Sequence, residues 1–250
     1  MKDSELLVNF LKLIPGKDIQ NRKGFSFGKN NYHLLSSTEK YIMDIYNLYS
    51  RLNELYKDLE RVIIFIKRYP TAKYYESNNI DKLVYIKYHT EVYLHKIHTI
   101  LEVMKLILND VYELEIAEKD CTWNKLKNNS KVNQTKAYKI IENFHKSFNG
   151  IINARHKNTH RALFDSGVDM DLEAVFDIYK LSNELDLGID LEFMRAYPPM
   201  LVNYELKLHR KERVDFMQKS NEVANKYFEM FINEVLKVAI MKHTEKAKEK

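Results

Sequence analysis

Apolar residues recur along this chain at steps of three and four, so it reads as a succession of helices, each buried along one face. The clearest seam is Ile45, Leu48, Leu52, Leu55, Leu59, Val62 and Ile66, the alternation of helices that cross at a shallow angle in bundles. That helix starts at Ser37 or Thr38, carries Glu39 and Lys40 in its first turns and ends at Tyr69, before Pro70. A short amphipathic helix over residues 4–14 precedes it, stopped by Pro15 and Gly16. A helix over about 80–117 follows, with Leu94, Ile97, Leu101, Met104, Leu108 and Val111 as its seam. The next is predicted over about 132–164, closed by Asp165, Ser166 and Gly167. A shorter helix near 170–186 comes before the Pro198-Pro199 break. The last long helix spans about 200–241 and buries Ala224, Phe228, Phe231, Val235 and Val238, leaving a charged tail, Lys242 to Lys250, that is expected to fray.

The expected fold is all-α: an up-and-down bundle of four long helices with a short N-terminal helix and a short helical insert. Residues 1–36 form the short helix and a polar loop with Gly24, Gly28, Asn30 and Asn31, and residues 37–245 one bundle domain. Six Gly and four Pro in 250 residues leave few helix breakers, in keeping with that reading.

Charge and cysteine content narrow the setting. Forty basic against 35 acidic residues give a net charge of +5, which permits nucleic-acid binding without demanding it. Lys125, Lys127, Lys131, Lys136, Lys139, Lys146, Arg155, Lys157 and Arg161 crowd one segment against Glu142, so a positive field is expected there. The lone Cys121 rules out an internal disulfide and fits a reducing compartment. No apolar run approaches the roughly 20 residues of a membrane span. Asp3 and Glu5 stand where a signal peptide carries positive charge, so the expected location is cytoplasmic, with no membrane partner.

The chemistry concentrates in one stretch, Arg155-His156-Lys157-Asn158-Thr159-His160. Ala137, Ile141, Phe144, Phe148 and Ile151 step along one buried helical face, and the next step on that face is Arg155. A guanidinium is costly to bury alone, so it must meet water, an acid or an anionic ligand. His160 falls near the helix end, where the carbonyl pole of the dipole favours imidazolium and suits a proton donor or acceptor. Five residues at 100° each set Arg155 and His160 about 140° apart, so either the helix is distorted or the cleft is shared with a second subunit.

Arg155 and His160, with four residues between them, resemble the Arg-x4-His signature of the HEPN superfamily (higher eukaryotes and prokaryotes nucleotide-binding). His156 stands where the family commonly has asparagine, Arg161 where glycine often follows, and Ala162 where one toxin branch carries a modified tyrosine. The resemblance implies an all-helical, usually dimeric protein and often a metal-independent ribonuclease. It implies Arg155, His160 and His156 as catalytic residues, with Lys157, Asn158 and Arg161 holding the RNA backbone. No cofactor and no metal are implied. The expected partners are RNA, a second copy of the chain, and an antitoxin or regulatory protein.

Two rival readings use other residues. Glu91, His95, His98 and Glu102 form a polar stripe at helical steps, and Glu142 with His145 makes a Glu-x-x-His pair, the material of a metal-binding bundle. A full di-iron set needs two such pairs, and one is present. The other rival keeps the fold without catalysis, as a nucleotide-binding or dimerisation module. Its surface would draw on the polar segment 15–36 and on tyrosines such as Tyr41, Tyr46, Tyr49, Tyr56, Tyr74, Tyr75, Tyr85, Tyr88 and Tyr93, which can stack bases but more often edge a core. Trp123 reads as a packing anchor in a loop.

Overall fold

The computed structural model describes residues 5–69, 73–161, 167–185 and 188–248, with all their side chains except those at 17, 18, 76, 156–161, 167–171, 183 and 184. Among the described residues there are α-helices and short 3-10 turns and no strands, so the chain is all-α. The helices are α1 (Glu5–Leu11), α2 (Ser37–Lys67), α3 (Lys73–Ser77), α4 (Lys82–Val111), α5 (Trp123–Lys127), α6 (Lys136–Ser147), α7 (Asn149–Arg161), α8 (Gly167–Glu184), α9 (Leu191–Ala196) and α10 (Pro199–Lys248). The chain divides into two compact units, one of residues 1–57, 99–149 and 223–250, the other of 58–98 and 150–222.

Helix α2 starts where a capping box sets it. The Ser36 amide donates to Glu39 Oε2 at 2.8 Å, and the Glu39 amide donates back to Ser36 Oγ at 3.3 Å. The polar stretch before it is tied to the same carboxylate: Arg22 Nη1 donates to Glu39 Oε2 at 2.8 Å and to the Leu34 carbonyl at 2.7 Å, and Arg22 Nη2 bonds Glu39 Oε1. Gly24, at φ +92°, lets the loop turn where a side chain would be strained. Along α2 the expected seam is buried at every position except Leu48, which is half-buried.

In the first unit, Phe10 and the seams of α2, α4, α6 and α10 form the core. Tyr56 and Phe228 hold α2 against α10 with ring centroids 4.3 Å apart, and the Tyr41 hydroxyl donates to the Val111 carbonyl at 3.0 Å. In the second unit, Leu83, Ile86, Leu94, Leu206, Val214 and Met217 are buried, and the Tyr93 hydroxyl donates to the Met217 carbonyl at 3.0 Å.

Several helix boundaries differ from the expectation. Helix α4 ends at Val111, short of 117, because Glu113 turns left-handed at φ +51°. The Leu114 amide then reaches the Asn109 carbonyl at 2.9 Å and the Glu113 amide that of Asp110 at 3.2 Å, a Schellman closure with glutamate in the usual glycine place. The Asn109 side chain completes the turn, exchanging two 3.0 Å bonds with the Ile116 backbone.

The expected fourth long helix is broken at Phe148 into α6, of 12 residues, and α7, of 13, beside Ser147 and Gly150, which are weak helix formers. Helix α10 does not fray after 241. It runs to Lys248, because Lys242 and Lys246 both bond Glu113, and the Lys246 ammonium lies 5.1 Å over the Tyr41 ring. Pro199 sits at its first position, where the missing N–H costs nothing.

Trp123 is not in a loop but heads α5, with Thr122 accepting from the Lys125 amide as N-cap. Its ring stacks on Tyr138 at 5.2 Å and on His145 at 5.5 Å.

Candidate functional site

The stripe that leads to the motif is buried as expected. Ala137, Ile141, Phe144, Phe148 and Ile151 are all closed from water, and Arg155, the next residue on it, is half-buried. Its Nε donates to Nδ1 of His95, on α4, at 3.4 Å. Arg155 and His95 belong to the same compact unit, and both make further interactions. For Nδ1 to accept, the ring proton of neutral His95 must sit on Nε2. The guanidinium thus meets a ring nitrogen, a partner the sequence reading had not assigned to it.

The backbone of His156, Lys157, Asn158, His160 and Arg161 is helical in α7, and their side chains lie outside the described residues. An unbroken helix from Arg155 to His160 leaves the two about 140° apart around its axis. The lysines at 125, 127, 131, 136, 139 and 146 are exposed, with Lys146 3.3 Å from Glu142 and Lys125 3.8 Å from Asp120.

The polar stripe of α4 is drawn into other contacts. His95 receives Arg155, and Glu102 pairs with Lys105 at 2.7 Å. Of the other pair, Glu142 faces Lys146 and His145 lies on Trp123. Among the described residues no group of three or more His, Cys, Asp or Glu side chains is arranged to hold a metal ion. Cys121 is buried, its Sγ 3.7 Å from the Lys105 carbonyl oxygen, and burial pushes its thiol up, away from the thiolate that nucleophilic chemistry needs.

Most of the tyrosines considered as base platforms are structural. Tyr41, Tyr49, Tyr56, Tyr85 and Tyr93 are buried, and burial raises the pKa of Tyr41, Tyr49, Tyr85 and Tyr93. Tyr74 and Tyr88 are exposed. A cluster the sequence reading did not single out surrounds Tyr69, Tyr75, Tyr85 and His89, with Tyr85 and His89 4.3 Å apart. Its members come from three segments, and no local pattern links them.

An all-helical chain with an arginine closing a buried helical stripe, and a histidine five residues on, has the makings of a HEPN protein. The chain belongs to the HEPN_Cthe2314-like HEPN family, whose model matches residues 45–242, from within α2 to near the end of α10, with Arg155 and His160 inside the match. No curated protein and no solved structure matches the chain. Among the described residues, no helix is long and apolar enough to cross a membrane.

Proposed function

We propose that this protein is a metal-independent endoribonuclease that cleaves single-stranded RNA, working as a homodimer in the cytoplasm in a toxin or defence role. The observation that carries the reading is Arg155 itself: a half-buried guanidinium where a buried stripe should continue, inside the HEPN match and five residues before His160. Core stability alone gives no reason for a cation at that step.

In the proposed reaction His160 takes the proton of the substrate's 2′-hydroxyl, and that oxygen attacks the adjacent phosphorus. The bond from phosphorus to the 5′-oxygen breaks, and the leaving oxygen is protonated by an acid for which the second subunit's His160 is the candidate. Arg155 balances the charge that builds on the phosphoryl oxygens. The products carry a 2′,3′-cyclic phosphate and a 5′-hydroxyl. His156, one turn before His160, orients it, and Lys157, Asn158 and Arg161 hold the RNA backbone. Divergence of Arg155 and His160 on α7 supports a cleft made by two copies of the chain related by a two-fold axis.

The test is cleavage of single-stranded RNA by the purified protein in the presence of chelator, with DNA, which lacks the attacking hydroxyl, as the control. Cyclic-phosphate ends on RNA and intact DNA are expected. Arg155→Ala and His160→Ala should each lower the rate by about a hundredfold or more, and His156→Ala by less. Cleavage at full rate in both single variants overturns the assignment. Absence of cleavage on every RNA tried favours the non-catalytic reading, a nucleotide-binding or dimerisation module awaiting a regulatory partner.

A further inference from the structure

The second unit holds a cavity of about 220 Å³ lined by Ile66, Tyr69, Lys82, Tyr85, Ile86, Asn203, Leu206, Lys207 and Arg210. Helical spacing gathers it. Lys82, Tyr85 and Ile86 come from one face of α4, and Asn203, Leu206, Lys207 and Arg210 from one face of α10. Ile66, Ile86 and Leu206 are closed from water and make an apolar floor.

Two aromatic walls stand on that floor. Tyr69 and Tyr85 meet edge to face with centroids 5.4 Å apart. Their hydroxyls are tied back, Tyr69 to the Ile80 carbonyl at 2.6 Å and Tyr85 to the Phe65 carbonyl at 3.3 Å. The rings are therefore fixed.

Among the described residues, the charge that lines the cavity is of one sign. Lys82, Lys207 and Arg210 line it, no carboxylate does, and none of the three has an ion-pair partner among the described residues. The nearest acid in sequence, Asp81, is turned to accept from the Val84 amide at 2.8 Å. Lys207 and Arg210 are one turn apart on α10, where like charges repel, an arrangement that helix stability does not favour.

We propose that this cavity binds a small phosphorylated ring compound, with the ring against Tyr69, Tyr85 and the apolar floor and the phosphate among Lys82, Lys207 and Arg210. A phosphate monoester carries close to two negative charges near neutral pH, which suits three unpaired cations better than a single carboxylate does. Arginine presents a planar fork to phosphate oxygens and also stacks on flat rings. The Asn203 amide, which spends one N–H on the Pro199 carbonyl at 2.8 Å, keeps its oxygen and a second N–H for polar edges of the ring. The volume lies below the usual range for drug-sized ligands, about 300–1,000 Å³, so one ring fits and a long acyl chain does not. This site uses neither Arg155 nor His160 and stands apart from the ribonuclease reading.

The test is calorimetric titration of the full chain with phenyl phosphate, uridine 5′-monophosphate, inorganic phosphate and phenol. Phenyl phosphate or the nucleotide should bind about tenfold or more tightly than inorganic phosphate and phenol, since each half supplies only part of the contact. Whichever of the two binds better shows whether the site accepts a sugar between ring and phosphate. Arg210→Gln and Lys207→Gln, each checked for an unchanged helical spectrum, should weaken that binding by about tenfold. Arg155→Ala should leave it intact whether or not RNA is cleaved, which separates this site from the motif. The proposal is overturned if neither ring phosphate binds more tightly than inorganic phosphate, if both substitutions leave the affinity unchanged, or if Arg155→Ala abolishes binding.

Discussion

Arg155 Nε lies 3.4 Å from Nδ1 of His95, so the arginine of the motif is held by a residue sixty positions earlier on another helix. The bond fixes one side of the guanidinium and the tautomer of the ring together. A long, neutral-acceptor bond of this kind contributes about 1 kcal/mol at most to stability, which is small for a contact at the edge of a core. Its greater effect is on direction, because an arginine side chain left to itself spreads over many rotamers.

His95 is accordingly expected to act as a positioning residue for Arg155. His95→Ala should slow RNA cleavage by about five- to tenfold, the equivalent of one ordinary hydrogen bond, with the loss in the turnover rate rather than in KM. His95→Asn, which restores an acceptor near the Nδ1 position, should recover part of the rate. Equal losses in both variants, accompanied by a large fall in melting temperature, would show that His95 serves packing alone.

Arg155→Ala separates scaffold from site. The stripe before it is already closed by Ile151, so the helical spectrum should be unchanged and the stability lowered by no more than about 1 kcal/mol. A residue kept for function rather than for packing behaves in this way. Loss of several kcal/mol on chemical denaturation would make Arg155 the anchor of a structural network instead.

If two copies of α7 build one cleft, mixing tells. Dimers formed from wild type and an excess of His160→Ala subunits should lose activity faster than the wild-type fraction falls, since a shared site needs both copies. A linear fall would mean that each chain carries a site of its own, and a strictly monomeric mass at micromolar concentration would remove the shared cleft.

The long seams were legible because burial on one face of a helix leaves a periodic record. Ile45 to Ile66 and Leu94 to Val111 needed nothing beyond their spacing. The helix ends were less so, because contacts distant in sequence decide them. Glu113 occupies a left-handed position that ordinarily advertises itself as glycine, and it is also what holds Lys242 and Lys246, more than a hundred residues later. Arg155 was conspicuous for breaking a pattern. His95 was visible only as one of four polar residues on a stripe, and its spacing suited a metal ligand as well as a partner for arginine. The ring-and-cation cavity had no local signature at all, since α2, α4 and α10 supply it from three separate stretches.

The Glu113 clamp yields a prediction about the end of α10. Burial pushes the Glu113 carboxyl up, but its bonds to Lys246 and Lys242 outweigh that and hold its pKa below the ordinary value. Glu113→Gln should leave the bundle folded while the last turns of α10 open, read as faster amide hydrogen exchange over residues 242–248 and not over 224–239. Unchanged exchange in the tail would mean that the lysine bonds do not hold it.

Glu39 gives the clearest pH dependence. The Arg22 hydrogen bond is the largest influence on its carboxyl and, despite partial burial, holds its pKa at about 2, against an ordinary value of 4.5. A carboxyl whose pKa is lower in the folded state binds fewer protons there than when unfolded, so its stabilisation is fully present above pH 4.5 and is lost as the pH falls through about 2. Glu39→Gln keeps the capping-box geometry and removes the charge. With Arg22 33% and Glu39 23% exposed, solvent screening trims the pair, and the variant should be less stable at neutral pH by on the order of 2 kcal/mol. The gap between wild type and variant in urea unfolding should hold from neutral pH to about pH 5, narrow through about pH 3 and largely close near pH 2, where the folded-state carboxyl takes up its proton. A gap that stays constant down to pH 2 would show that Arg22 does not depend on the Glu39 charge, and that the loop before α2 is held by its backbone turns.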